Sequence, residues 1–305
     1  MNIVFMGTPD FAVPSLEALA SDSRFDVRAV YTQPDKPVGR KKILTPPDVK
    51  VCAQKLGIDV YQPDTLKDED VQKQIAAFEP DVIVVIAYGK ILPKAVLDIP
   101  KYCCVNIHGS LLPKLRGAAP IQRAVIDGEK LTGITSMRMD VGLDTGDMIK
   151  TYETEVLPDE TAGELFDRLA ASAPELLTDT LLSLENGTAS FTKQDDAAST
   201  YAKPLSKEEA LIDWNADAQT VHNKVRGMNP WPVAFTEFNG KKLKIYSSKL
   251  SRRSGKPGEI VSLDPPTVAC GSGAVELISV QLEGKKQMSA EDFFRGQRVS
   301  TGDTI

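Results

Sequence analysis

The run V-N-I-H-G-S-L-L-P at residues 105–113 contains His108, one of only two histidines among 305 residues. Imidazole is the side chain whose ordinary titration falls near neutral pH, so proton-transfer chemistry has few places to occur in this chain. In an extended strand Asn106 and His108 lie two residues apart on one face, about 6.6 Å from each other by strand rise. An amide N–H donates without titrating, and an imidazole accepts or donates a proton. Together they suit an oxyanion that forms at a carbonyl carbon. Spacing alone leaves a second reading open, in which His108 is a hydrogen-bonded structural histidine. Ser110 lies close by, but no G-x-S-x-G elbow surrounds it and a proline follows three residues later, which argues against a serine nucleophile.

Further along, D-V-G-L-D-T-G-D sets Asp140, Asp144 and Asp147 around Gly142 and Gly146. A loop carboxylate beside an imidazole orients the ring and favours its charged form. Ordinary turn aspartates are the plain alternative, and the segment lacks the ligand density of an EF-hand. Cys52, Cys103, Cys104 and Cys270 form no C-x-x-C pair and have no histidine at ligand spacing, so they read as reduced core thiols and no metal is expected. The turn G-T-P-D-F-A after the first apolar run carries a single glycine. A dinucleotide fingerprint needs three to let the backbone approach a pyrophosphate, so no NAD is expected either.

The elements that must position these residues are legible as alternation. Apolar runs N-I-V-F-M, D-V-R-A-V-Y, D-V-I-V-V-I-A and C-C-V-N-I are interleaved with helix-length segments such as P-S-L-E-A-L-A. Strands too apolar to have a wet face predict an α/β fold, a Rossmann-like mostly parallel sheet flanked by helices. Such sheets bind ligands beyond the carboxyl ends of their strands, where Gly7, residues 88–93 and residues 106–113 should collect. Residues 131–139 alternate and predict another strand. Thr161-x-x-Glu164 is a capping box that starts a long helix running to about Leu184.

After Asn186-Gly187 a polar stretch of weak periodicity reads as a linker. A helix around Asp217–Arg226 leads to N-P-W-P, and short strands follow, punctuated by Asn-Gly and Pro-Pro. They predict a small β-barrel, for which an OB-like barrel is one fit among several. The expected boundaries are 1–188 for the first domain, 189–206 for the linker and 207–305 for the second domain. His222 reads as structural, and Trp214 and Trp231 as packing residues.

The net charge of −6 is uneven: residues 206–305 carry 14 Lys and Arg against 12 Asp and Glu, which leaves −8 on the preceding 205. Between 224 and 256 nine basic residues face only Glu237. A concentrated basic segment on an acidic protein predicts a local polyanion contact, with a solvated basic face as the plain alternative. No basic leader is present, and no apolar run approaches the roughly 20 residues that span a bilayer. The expectation is a cytoplasmic protein that meets no membrane. It is a monomer by the same reading, since no heptad pattern or long exposed apolar edge is present.

Taken together, N-I-H-G-S-L-L-P-K-L-R-G-A-A-P-I and D-V-G-L-D-T-G-D resemble the signature of formyltransferases that use 10-formyltetrahydrofolate. Asn106, His108 and Asp144 match that family's catalytic positions. The segments M-G-T-P-D-F-A-V-P-S-L, T-Q-P-D-K-P-V-G-R-K-K, A-Y-G-K-I-L-P-K, L-S-K-E-E-A-x-I-D-W and N-P-W-P extend the likeness over essentially the whole chain. They resemble the branch of the family that acts on initiator methionyl-tRNA.

The resemblance implies a bacterial enzyme that moves the formyl group of its co-substrate 10-formyltetrahydrofolate to the α-amine of methionyl-initiator tRNA, for translation initiation. It implies folate contacts from Ile86, Tyr88, Gly89, Ile91 and Leu92, from Ser110, Leu111, Leu112 and Pro113, and from Asp140, Val141 and Gly142. It implies tRNA contacts from Lys36, Arg40, Lys41 and Lys42 in a basic loop, from Arg116, and from Lys241 and Lys244 in the second domain. Many relatives carry a glycine between the loop arginine and the lysine pair, and R-K-K here lacks it. Two rival readings remain: formyl transfer to a small amine, which leaves the basic loop unexplained, and a tRNA-binding protein with an inactive catalytic domain, against which the intact Asn106, His108 and Asp144 argue. Which of His108 and Asp144 takes the amine proton stays open.

Overall fold

The computed structural model describes residues 1–39 and 41–305; Arg40, the loop arginine expected to meet tRNA, lies outside the described residues. The strands are β1 (Asn2–Gly7), β2 (Asp26–Tyr31), β3 (Lys36–Val38), β4 (Ile43–Thr45), β5 (Val60–Tyr61), β6 (Val82–Ile86), β7 (Cys103–His108), β8 (Arg116–Gly117), β9 (Leu131–Arg138), β10 (Met148–Glu155), β11 (Tyr201–Ala202), β12 (Phe235–Phe238), β13 (Lys241–Ser251), β14 (Ile260–Leu263), β15 (Pro266–Ala269), β16 (Ala274–Leu282) and β17 (Met288–Ser289). The α-helices are α1 (Val13–Ser21), α2 (Asp48–Lys55), α3 (Glu69–Ala77), α4 (Lys94–Leu97), α5 (Pro120–Ile126), α6 (Ala162–Glu185), α7 (Ala218–Gly227) and α8 (Ala290–Arg295). Met1–Gly117, Gly133–Thr154 and Phe166–Tyr201 form one compact unit; Ala118–Thr132, Glu155–Leu165 and Ala202–Ile305 form a second.

The first unit is built on a seven-stranded sheet in the order β10-β9-β7-β6-β1-β2-β5. Strands β1, β2, β5, β6 and β7 run parallel, and β9 runs antiparallel to β7. This is the mostly parallel Rossmann-like sheet that the apolar runs predict. Every residue of β6 is buried, and a strand with no wet face needs cover on both sides. On one face Val4, Met6, Ile83 and Val85 pack with Leu66 and Ile75. The alternate residues Ile3, Phe5, Val84 and Ile86 are equally buried on the other.

Helix α6 begins at the predicted capping box: the Thr161 N–H donates to Glu164 Oε2 at 2.9 Å, and the Glu164 N–H donates to Thr161 Oγ1 at 3.2 Å. The Thr161 N–H also holds the Glu164 carboxyl below its usual range. A cap of this kind stabilises by about 1 kcal/mol. The basic loop is a short hairpin, with Lys36 opposite Thr45 and Val38 opposite Ile43 across β3 and β4.

In the second unit the order is β12-β13-β16-β15-β14, with β17 added on β16, and the pairs are antiparallel. The OB-like barrel predicted for this part is present as an antiparallel half-barrel sheet. Asn239 and Gly240 join β12 to β13 with φ of 49° and 72°, the left-handed pair that a two-residue hairpin turn of type I′ requires. Leu243, Ile245, Val275 and Leu277 form the core with Phe293 and Phe294 of α8.

Trp214 joins that core and donates its indole N–H to Thr236 Oγ1 at 3.0 Å. Trp231 departs from the packing expectation: it sits in the turn after α7 and is 54% exposed, because a turn between two prolines carries its ring outward. His222 is buried and structural; its Nε2–H donates to the Pro158 carbonyl at 3.2 Å, and its Nδ1 accepts from the Ser248 hydroxyl at 3.0 Å. All four cysteines are free and buried. Among the described residues no helix is long and apolar enough to cross a membrane.

Candidate active site

Strand β7 sets Asn106 between Val85 of β6 and Met137 of β9, and it sets His108 opposite Thr135. The His108 ring is buried at 6% exposure. Its Nε2 lies 2.9 Å from the Leu115 carbonyl oxygen. A carbonyl only accepts, so Nε2 carries a proton, and in the neutral ring Nδ1 is then the atom with the free lone pair. Nδ1 lies 3.8 Å from Asp144 Oδ2, too long for a direct hydrogen bond and within ion-pair distance of the ring when it is charged.

The route that brings Asp144 there depends on the antiparallel strand. The chain leaves β9 beside the start of β7, where the Met139 N–H donates to the Cys104 carbonyl at 2.8 Å, and then folds back toward His108. Asp144 adopts a left-handed φ of 53°, which is uncommon for a residue with a side chain. Its Oδ2 accepts the Gly117 N–H at 2.8 Å. Two residues on, a Cβ at Gly146 would lie 1.7 Å from the Arg138 carbonyl oxygen, so the return of the loop requires glycine. Of the three aspartates only Asp144 meets His108. Asp140 accepts its own turn's Val141 N–H at 2.7 Å, and Asp147 pairs with Arg138.

The loop after β7 is stitched to its surroundings. Thr135 Oγ1 accepts the Leu112 N–H at 3.2 Å and donates to the Ser110 carbonyl at 2.7 Å. The Ser110 hydroxyl donates to the Lys114 carbonyl at 2.6 Å, which gives it a structural duty and no base. The Leu115 N–H, next to the carbonyl that orients His108, donates to Thr200 Oγ1 at 2.8 Å. Asn106 Oδ1 and the Tyr88 hydroxyl are buried without a hydrogen-bond partner among the described residues, and burial pushes the Tyr88 phenol up to about 12. Unpartnered buried polar atoms are rare in folded proteins and mark candidate ligand contacts.

The residues expected at the folate lie on three segments of this unit. At the end of β6 and just beyond it, Ile86, Tyr88 and Leu92 are buried while Ile91 is 84% exposed. Gln33 clamps this stretch, its Nε2 donating to the carbonyls of Tyr88 at 3.1 Å and Gly89 at 3.0 Å. Leu112 is buried, Leu111 and Pro113 are half-buried, and Asp140, Val141 and Gly142 are exposed. Apolar Ile91 and Val141 thus face outward.

The expected tRNA contacts divide. Lys36, Lys41 and Lys42 are exposed on the hairpin beside exposed Val38, Ile43 and Leu44. Lys50, just beyond the hairpin in α2, is held by Asp35 at 2.8 Å and Gln62 at 2.7 Å, and it keeps the Asp35 carboxyl below its usual range. Arg116 is turned inward at 11% side-chain exposure, donating to Gln194 Oε1 at 3.0 Å and Asp196 Oδ1 at 2.8 Å. In the second unit Lys241 is exposed and Lys244 half-buried on β13. Lys244 and Lys242 lie on the face opposite Leu243 and Ile245.

Gln33, Thr135, Gln194 and Thr200 shape the site, and no spacing in the sequence announces them. The stretch expected to link two domains does more than connect, since Gln194 and Thr200 both come from it. Among the described residues no group of three His, Cys, Asp or Glu side chains is placed to hold a metal ion.

Residues 1–181 match the formyl transferase family and residues 204–298 the formyl transferase C-terminal domain. A methionyl-tRNA formyltransferase from Geobacter metallireducens is 49% identical over 304 residues, covering 99% of this chain and 97% of its own length. The fold is shared with a sugar 3N-formyl transferase solved in the presence of dTDP and 5-N-formyl-THF, at a TM-score of 0.68 and 18% identity over 94% of this chain and 99% of that one. It is shared as well with a methionyl-tRNA formyltransferase from Clostridium thermocellum, at a TM-score of 0.58 and 18% identity over 82% and 94%. With both halves matched and near-half identity along its length, this chain belongs to the methionyl-tRNA formyltransferase family.

Proposed function

We propose that this chain transfers the formyl group of 10-formyltetrahydrofolate to the α-amine of methionine esterified to initiator tRNA, acting as a monomer in the bacterial cytoplasm. The observation that carries the reading is the placement of Asp144 Oδ2 at 3.8 Å from a His108 ring whose tautomer is set by Leu115. The co-substrate supplies an already activated formyl group. Asn106, whose Oδ1 is buried and unpartnered, and the outward apolar Ile91 and Val141 fit a folate with its formyl end at β7. Ile86, Tyr88, Gly89 and Leu92, residues 110–113, and Asp140 and Gly142 complete the contacts assigned to it.

The chemistry follows from the proton inventory. The amine nitrogen bonds to the formyl carbon. With Nε2–H committed to Leu115, His108 Nδ1 receives the amine proton and returns it to N10 of the folate as the C–N10 bond breaks and tetrahydrofolate leaves. Asp144, kept in place by the Gly117 N–H, stabilises the imidazolium that results. The Asn106 amide and the charged imidazole face the negative charge that develops on the formyl oxygen. Exposed Lys36, Lys41 and Lys42, with Arg40, Lys241 and Lys244, supply phosphate contacts, which give affinity without reading sequence. Catalysis is assigned to 1–188, with Gln194 and Thr200 of the following stretch supporting the site, and tRNA binding to the hairpin and to 207–305.

Single-turnover formylation of charged initiator Met-tRNA, run beside charged elongator Met-tRNA and free methionine, tests the reading. Rapid transfer to the initiator alone is the expected result, and no transfer to any of the three overturns it. His108→Ala should lower kcat far more than tRNA affinity, while Arg40→Ala should weaken tRNA binding and reduce its salt dependence. Gel filtration with light scattering checks the monomer.

A further inference from the structure

We propose that Gln194 is the positioning residue that holds the Asp144 carboxylate at His108, acting through the backbone of the loop; the proposal rests on the catalytic reading above. Gln194 is 5% exposed. Its Nε2 donates one hydrogen to the Asp144 carbonyl at 2.8 Å and the other to the Gly146 carbonyl at 2.7 Å. Its Oε1 accepts from Arg116 Nε at 3.0 Å. Two carbonyls and one guanidinium leave a single orientation for this amide, because only the NH2 group can serve both carbonyls.

The clamp grips the part of the loop that sequence alone would not hold. Asp144 is in a left-handed conformation with φ 53°, and a residue with a side chain stays there only when its surroundings impose it. Gln194 ties the carbonyl of that residue and the carbonyl two residues on. The carboxylate is tied separately, by the Gly117 N–H. Arg116 and Gly117 are consecutive, so one dipeptide reaches Asp144 twice: through its backbone to the carboxylate, and through the guanidinium and Gln194 to the carbonyls. Arg116 is itself anchored by Asp196 Oδ1 at 2.8 Å, and its charge polarises the Gln194 amide and strengthens both donors. Without the two donors Asp144 keeps the Gly117 contact to its carboxylate, but the carbonyls of Asp144 and Gly146 lose the bonds that fix the backbone there, and the carboxylate loses its fixed approach to Nδ1. A displacement of about 1 Å in such a group can cost roughly a hundredfold in rate.

The test uses the full chain with Gln194→Met, which keeps length and volume, and Gln194→Glu, which keeps the Arg116 contact and removes the two donors. Both should lower single-turnover formylation about a hundredfold, while the dissociation constants of charged initiator tRNA and of 10-formyltetrahydrofolate stay within about threefold. Combined with Asp144→Asn, either variant should be no slower than Asp144→Asn alone, because the two act as a unit. Rates within threefold of the parent chain, or losses that multiply with Asp144→Asn, overturn the proposal. Amide hydrogen exchange over residues 144–146 should be faster in both variants, and unchanged exchange overturns it whatever the acceptor proves to be. Absence of transfer by the parent chain would instead remove the tRNA reading, with the exchange result still deciding the role of Gln194.

Discussion

Asp144→Asn removes a charge and little else. The substituted amide oxygen can still accept the Gly117 N–H that Asp144 Oδ2 takes at 2.8 Å, so the loop keeps its anchor. What disappears is a negative charge 3.8 Å from His108 Nδ1, between side chains only 7% and 15% exposed. At an effective dielectric of about 20, a unit pair at that distance interacts by about 4 kcal/mol. If the proton has fully reached Nδ1 in the transition state, the barrier rises by that amount and the rate falls about a thousandfold. With the proton half transferred the loss is about 2 kcal/mol, or some thirtyfold. The loss should fall on the chemical step, because the charge pair exists only once His108 is protonated. Chemical-quench single-turnover kinetics at saturating tRNA and folate measure it, with separate titrations for the two dissociation constants. A rate within tenfold of the parent, or a loss expressed as weaker binding, would refute the assignment of Asp144 as the partner of a charged His108.

Two further outcomes follow from buried groups. Burial holds the His222 pKa below its ordinary value, with Arg226 adding to the effect and the Pro158 bond opposing it. The unfolded chain therefore binds this proton more tightly, so the stabilisation is complete above about pH 6.5 and is lost as pH falls toward the depressed folded value. Melting temperatures measured at pH 7.5 and 5.5 should converge in His222→Gln relative to the parent, and an equal acid-side drop in both chains would remove the effect. Gly133→Ala would place a Cβ 1.9 Å from the Tyr152 carbonyl oxygen and 2.8 Å from Leu111 Cδ2, which forces β9 from β10 at a cost of about 1–3 kcal/mol. Calorimetry should show a melting point lower by several degrees, and an unchanged one would contradict the close approach.

The features that depend on near neighbours were legible in the residues themselves. A strand buried on both faces is apolar along its covered length, so β6 and the apolar stretches of β1 and β7 announce a parallel sheet. A capping box closes within one helical turn, so Thr161 and Glu164 mark the start of α6 without help from the rest of the fold. Asn239-Gly240 carries its own left-handed preference, and Asn106 and His108 share a face because strands repeat every two residues. Tertiary structure alone decided which aspartate meets the imidazole, since Asp140, Asp144 and Asp147 have the same chemistry and differ in where the loop returns. It decided that Lys50 and Arg116, plain cations by sequence, are spent on Asp35 and on Gln194 and Asp196. It also drew Gln194 and Thr200 into the site from 50 and 85 residues away. The first kind of feature is local and repeats with the period of its element. The second depends on which distant groups the packed chain brings within 3 Å of one another, and no spacing along the chain encodes that.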